Sequence, residues 1–497
     1  MRPLLQEIPT AATPETLVEQ LRGERGVLLL RTSQFDSPSA RYSFVAANPF
    51  LTFRSLGSRC ETTHHPSPAA HHVQFGNPWH LLDALMSQCE LLDEIDSPFP
   101  LGGAFGYWGY DLKDFTEPKL PRRAVNDLEL PDCHVGFYES VVVFDHRLGK
   151  VCIVSTGLNA DGSRSEARAK GQLEFWRSKL AAVSEGGIDR TGFVEAGGGR
   201  RRRARGDASG WQSSLSRAEL IAAIERVQRY IRAGDVYQVN LSQRLTVPAE
   251  FSGWEMFRKL NTVSPAPFSA FLDCGEFQIA SSSPEQFLRM SASQIVTRPI
   301  KGTRPRDADP TRDAQLAYEL QTSAKELAEL VMITDLLRND LGKICEYGQV
   351  QTPELARLEK FAQVQHLVST VEGRLRKDVT HFAAFASCFP GGSITGAPKF
   401  RAMEIIDELE PVSRGPYCGA LGYLGFNRES QLNIVIRTAI CTPGGIHFNV
   451  GAGIVADSNP AAEYEETLAK AAGFLAAINF DEDGVQALAG PFKPTQA

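Results

Sequence analysis

Two periodicities alternate along the chain, one of two residues and one near 3.6, and together they predict a mixture of strands and helices. Residues 27–30 are wholly aliphatic and read as a buried strand, followed after polar turn residues by a second strand over 41–46. Residues 138–144 and 151–154 predict a hairpin turning at 147–150. Further on, Tyr237, Val239, Leu241, Leu245 and Val247 alternate with Gln238, Asn240, Ser242 and Arg244, which predicts a strand with one apolar face and one polar face available to line a site. Leu432, Ile434, Ile436 and Ile440 alternate with Asn433, Val435, Arg437 and Ala439 in the same manner. Arg437 is thereby turned off the apolar face, either into solvent or onto a carboxylate.

Helical spacing is equally plain. Ser216 and Glu219 form a capping box, Leu220, Ile224, Val227 and Ile231 follow on one stripe, and Gly234 ends the helix. Residues 325–341 place Leu327, Leu330, Val331, Leu337 and Leu341 at helical spacing, and residues 461–472 predict another helix. Residues 101–111 interleave four glycines with aromatic rings, which suits either a tightly packed core strand or backbone passing close to a pocket.

From residue 159 to 213 the composition shifts to Gly, Ser, Arg and Ala, with one helix-like piece over 166–180 and a basic run at 200–203. This reads as a linker between an N-terminal region, 1–158, and a C-terminal region, 214–485. At 497 residues and 42% hydrophobic content the chain is long enough for two or three domains. The net charge of -7 argues against a general nucleic-acid or anionic-membrane binder. Nine cysteines without a Cys-x-x-Cys pair, no long apolar run and no signal-like N-terminus predict a cytoplasmic protein with reduced thiols.

Against that background, one segment has the composition of a reactive site. Residues 298–306, Arg-Pro-Ile-Lys-Gly-Thr-Arg-Pro-Arg, set Lys301 between two prolines and among three arginines. A lysine amine attacks carbon only where burial or neighbouring positive charge lowers its pKa, and otherwise the segment is a basic surface turn. Glu326 and Glu329 share one face of the helix over 325–341, and Glu463 and Glu466 repeat the spacing. Either pair alone reads as a solvated helix face; facing each other they would suit magnesium, which takes one or two carboxylates and keeps several waters. Residues 389–399 run from a glycine-rich loop into a helix and could hold an anion, but lack the Gly-Lys-Ser/Thr of a phosphate loop. Residues 451–456 match a dinucleotide pattern whose helix does not follow directly, so the glycines read instead as close backbone approach to a carboxylate. His366 reads as a core histidine, and His64, His65, His71 and His72 as a solvated loop.

Taken together, residues 299–303, 326–340, 391–399, 419–425 and 451–467 resemble the chorismate-utilising enzymes, in particular the aminodeoxychorismate synthase and anthranilate synthase component I families. The resemblance implies an α/β (α+β) fold of two packed β-sheets flanked by helices around a magnesium-dependent site for chorismate. It implies Glu329 and Glu466 as direct metal ligands, with Glu326 and Glu463 holding the metal's waters. Arg437, Tyr423 and the backbone at Gly451 and Gly453 would take the enolpyruvyl carboxylate, while Gly302, Thr303, His366, Ser393 and Lys470 would line the same pocket. Lys301 matches the lysine proposed in aminodeoxychorismate synthases to attack C2, where anthranilate synthases typically carry alanine. The implied product is therefore 4-amino-4-deoxychorismate, on the way to 4-aminobenzoate and folate. Gln238 stands where isochorismate-forming relatives place a lysine. No Gly-x-Cys-x-Gly nucleophile is present, so ammonia would come from a separate glutamine amidotransferase. Relatives hold tryptophan in an N-terminal pocket, where Leu29-Leu30-Arg31-Thr32 departs from the family's Leu-Leu-x-Ser run.

Overall fold

In the computed structural model, residues 2–32, 41–65, 71–91, 95–185, 210–249, 251–361 and 364–478 are described. The many short apolar strands are resolved into two antiparallel sheets, each of twelve strands, packed face to face with helices outside. In the first sheet the strands Leu4–Ile8, Lys150–Ser155, Ser140–Asp145, Tyr42–Ala46 and Leu28–Arg31 form one half. They join Phe268–Asp273, Gln278–Ser283, Thr438–Thr442, Gly445–Ile454 and Gln238–Val247 through the pairing of Leu28–Arg31 with Phe268–Asp273. The second sheet runs from Ile300–Pro305 and Val364–Arg374 at one end to His71–Phe75 at the other. Its halves meet where the glycine-rich strand Gly103–Trp108 pairs with Ala420–Gly425. Both sheets are thus shared between the N-terminal and C-terminal regions.

Between the sheets lies the main core, with Tyr107, Trp108, Phe105 and Phe385 wholly buried. Gly106 and Gly422 face each other there, and a side chain on either would run into the neighbouring strand's backbone, which explains the glycine spacing. A second core lies under the outer helices, where Phe448 stacks on Phe474 of the helix Pro460–Ile478 at 4.4 Å.

Three expectations change. The helix-like piece of the linker is the helix Glu166–Glu185, and its Trp176 is fully buried with Nε1 donating to Ser140 Oγ at 2.9 Å. It is part of the fold, and the basic run that follows lies outside the described residues. The run 138–144 is not one strand: Cys133–Tyr138 belongs to the second sheet and Ser140–Asp145 to the first, with the chain crossing at Glu139. His71 and His72 sit on a strand paired with Arg59–His64, not on a loop; residues 66–70 between them are outside the described residues. All nine cysteines are free thiols, and among the described residues no helix is long and apolar enough to cross a membrane.

Candidate active site

Crossings between the sheets build the site. The chain leaves the first sheet at Ser283 and enters the second at Gln286, and it returns from Ile434 to Thr438. These two corners lie side by side: Ile434 N donates to Glu285 O, and Ser282 N donates to Arg437 O. Glu285 and Arg437 therefore project where the sheets part. The predicted strand over 432–440 is broken here, with Arg437 in the left-handed region at φ 49°. An arginine held in that sparsely populated conformation is fixed by its surroundings. It retains solvent-accessible surface, yet burial of its guanidinium lowers its pKa, and no carboxylate pairs with it among the described residues.

Lys301 reaches the same cleft from the end of the second sheet. Its strand, Ile300–Pro305, has a bulge between Lys301 and Thr303, and Gly302 sits there at φ +68°. Only glycine fits: besides its conformation, a Cβ would stand 2.6 Å from Leu320 Cδ1 and 3.1 Å from Glu326 Oε2. The bulge re-aims Lys301 inward. Burial pulls the Lys301 ammonium below the usual lysine range and the like charge of Lys470 acts the same way, whereas Glu329, Glu285 and Glu326 oppose them. Thr303 pairs with His366 across the strands, with Oγ1 3.0 Å from Nδ1, and burial keeps His366 below the usual histidine range.

The floor is formed by Gln238–Val247 and Gly445–Ile454, in register Asn240↔Gly453 and Ser242↔Gly451. The Gln238 side chain is completely buried and neither its Oε1 nor its Nε2 has a partner among the described residues. Asn240 Nδ2 donates to Ser393 O at 3.1 Å, which ties the short 3-10 turn Gly392–Ile394 to this floor. Ser393 in turn hydrogen-bonds the Glu285 carboxyl, which burial raises above the usual glutamate range while Ser393 and Lys301 restrain it. Lys470 Nζ donates to Gly451 O at 2.8 Å.

Both Glu-x-x-Glu pairs face this region. On the helix Ala324–Gly342, Glu326 adjoins Gly302, while Glu329 is raised by burial and by the like charges of Glu326 and Glu463, against Lys301 and Lys325. On the helix Pro460–Ile478, Glu463 is buried and accepts from Ser458 Oγ at 2.6 Å, and Glu466 pairs with Lys470 at 2.9 Å. Among the described residues no three His, Cys, Asp or Glu side chains converge as a ready metal cage. The glutamates do fit magnesium in kind, since hard oxygen donors with mutually repelling charge are present and few direct protein ligands are needed.

Two residues revise the sequence reading. Tyr423 is not in this cleft: its ring lies 5.2 Å from Phe44 and 5.4 Å from Phe105, and it lines a separate cavity with Leu30, Arg31, Thr32 and Asn433. The tyrosine beside the floor is Tyr417, whose hydroxyl would stand 3.1 Å from a Cβ at Gly451. Strand alternation could not distinguish them, because Tyr417 lies in the turn before the strand Ala420–Gly425. Glu285 was also missed, although the Ser-Ser-Ser-Pro run before it breaks a strand pattern next to a lone carboxylate.

The comparisons with known proteins agree with this geometry. A model of the family described as chorismate binding enzyme matches residues 34–476. Aminodeoxychorismate synthase component 1 of Salmonella typhimurium is 39% identical over 444 residues, covering 89% of this chain and 91% of that protein. Anthranilate synthase component 1 of Thermus thermophilus is 42% identical over 390 residues, covering 78% and 80%. Among solved structures, anthranilate synthase component I from Streptococcus pneumoniae matches with a TM-score of 0.73 at 30% identity, covering 88% of this chain and 93% of that one.

Proposed function

The chain belongs to the chorismate-binding enzyme family, and from that premise we propose that it aminates chorismate at C4 to give 4-amino-4-deoxychorismate, with magnesium and with ammonia from a separate glutamine amidotransferase. The observation that carries this reading is Lys301, a desolvated lysine aimed into the cleft beside Glu285 and Glu329. A lysine there has no task in direct amination at C2.

Arg437, the Gly451 and Gly453 backbone and the Tyr417 hydroxyl form the end of the cleft suited to the enolpyruvyl carboxylate. The ring then lies over Gln238 and under Lys301. Glu285 takes a proton from the Lys301 ammonium, and the free amine attacks C2. The ring double bonds shift, the C4–O bond breaks, and Glu285 returns its proton to the departing hydroxyl, so that water leaves. Ammonia bonds to C4, the double bonds shift back, the C2–N bond breaks, and its electron pair returns to Lys301. Glu329 and Glu466 would hold magnesium, with Glu326 and Glu463 near its waters, and the bound ion would supply Lewis-acid polarisation of the ring carboxylate. Thr303 and His366 close the side of the cleft next to Lys301. Gln238, an uncharged amide, cannot serve as base for water, which disfavours hydration of the ring.

The second reading, amination at C2 with loss of pyruvate, is favoured by the identity with the Thermus thermophilus relative. Incubation of the full chain with chorismate, magnesium and ammonium at about pH 8.5, followed by chromatography and mass analysis, separates the two; at that pH more of the ammonium is free ammonia. Aminodeoxychorismate that disappears in Lys301→Ala supports the C4 reading. Anthranilate and pyruvate from the wild type would overturn it.

A further inference from the structure

Behind the cleft lies a charged network that this chemistry does not use. Arg414 and Glu410 are 3% and 5% exposed. Glu410 Oε1 accepts from Ser242 N at 2.8 Å, Ser242 Oγ at 2.9 Å and Arg414 Nη2 at 2.7 Å, while Oε2 accepts from Arg414 Nε at 2.8 Å. The remaining guanidinium donors go to main chain, Nη1 to Ile394 O at 3.2 Å and Nη2 to Asn240 O at 2.7 Å. The guanidinium carbon stands 4.7 Å from the Tyr110 ring centre and 5.8 Å from that of Tyr417. From the glycine-rich segment, Asp111 Oδ2 accepts from Gly415 N at 2.9 Å and pins the turn that leads to Tyr417.

One side chain thus holds three walls of the site: the turn carrying Ser393, the strand carrying Gln238 and Asn240, and Tyr417. A buried ion pair of this kind contributes little net stability over apolar packing, because desolvation offsets the attraction. What an apolar pair could not do is fix two carbonyls and a ring in one relation, for which the planar five-donor fork of arginine is suited.

We propose that Arg414 is a positioning residue for the chorismate site, acting through Tyr417 and the Ser393 turn. This rests on the functional reading above. The test is steady-state kinetics of the full chain with ammonium and magnesium for wild type, Arg414→Lys, Tyr417→Phe and the double variant. Lysine keeps the charge opposite Glu410 but loses the fork. Each single variant raises KM for chorismate about tenfold with kcat within about threefold, and the double variant stays at about thirtyfold or less, short of the roughly hundredfold product for independent sites. An unchanged KM in Arg414→Lys, a loss confined to kcat or to the folded fraction, or fully multiplicative effects would overturn the proposal. Should Arg414→Lys fail to fold, the paired variant Arg414→Met with Glu410→Gln, which leaves no buried charge, takes its place in the same comparison. A wild type that neither binds nor converts chorismate removes the functional reading and this inference together, whereas variants that match an active wild type remove the positioning role alone.

Discussion

Gly453→Ala tests how tightly the cleft floor is set. The added Cβ would collide with Gln238 Nε2 and lie 3.0 Å from Asn240 Oδ1. Gly453 is not in the left-handed region, so the penalty is steric. Relief would require the fully buried Gln238 amide to move toward the cleft. Overpacking of this kind costs about 1–3 kcal/mol. For a chain of 497 residues, at an unfolding entropy of about 2.1 cal/mol/K per residue, that corresponds to a fall in melting temperature of roughly 1–3 °C. Because the displaced amide would be driven into the cleft, KM for chorismate rises as well. Thermal melting and chorismate titration of Gly453→Ala, Gln238→Ala and the double variant decide the matter. The double variant, with space restored, recovers most of the melting loss. Gly473→Ala, in a helix with nothing within 4 Å of the new carbon, is the control and gains about 0.5–1 kcal/mol from helix propensity. A Gly453→Ala protein that melts within about 0.5 °C of wild type and keeps its KM would refute the reasoning.

Three further outcomes follow from the same structure. Trp176→Ala removes a fully buried indole and its bond to Ser140, costing about 3–5 kcal/mol in urea unfolding, and a loss below about 1 kcal/mol would make the helix Glu166–Glu185 peripheral. Burial lowers the His381 pKa to about 4, with Ser430 Oγ and Ala292 O on its two ring nitrogens, so its contribution to stability is present above pH about 6.5 and is lost as pH falls toward 4. His381→Gln therefore flattens the decline of the urea midpoint between pH 6.5 and 4, and an unchanged slope would contradict this. Magnesium without substrate raises the wild-type melting temperature, by about 2.7 kcal/mol of stabilisation at a hundredfold excess over Kd, and Glu329→Gln loses that shift. An equal shift in both proteins would remove Glu329 from the metal site.

Much of the site was legible because its residues sit in local patterns. Gly302 follows Lys301 in a proline-bounded strand, the glutamates recur three apart on helices, and the alternation over 237–247 separates Gln238 and Asn240 from the apolar face. Where the reading erred, the information was not local. Tyr417 and Tyr423 both lie in one glycine-rich stretch, and only the pairing of Ala420–Gly425 with Gly103–Trp108 sends Tyr423 to the cavity near Leu30 and leaves Tyr417 beside Gly451. The apolar patterns at 138–144 and 432–440 look like single strands, because strand periodicity carries no sign of a change of sheet.

By itself, then, the sequence determined most element types, the candidate lysine, the two glutamate pairs and the chemical family, since propensity, spacing and motif are properties of short segments. Tertiary structure alone decided that both sheets draw strands from both ends of the chain, that Glu285 and Arg437 meet at adjacent corners, and that Arg414 stands behind three walls of the cleft. Those facts rest on contacts that no short segment encodes, such as Ser282 with Arg437 and Arg414 with Asn240, which are set by the joint burial of two sheet faces and by the cost of leaving buried polar groups without partners.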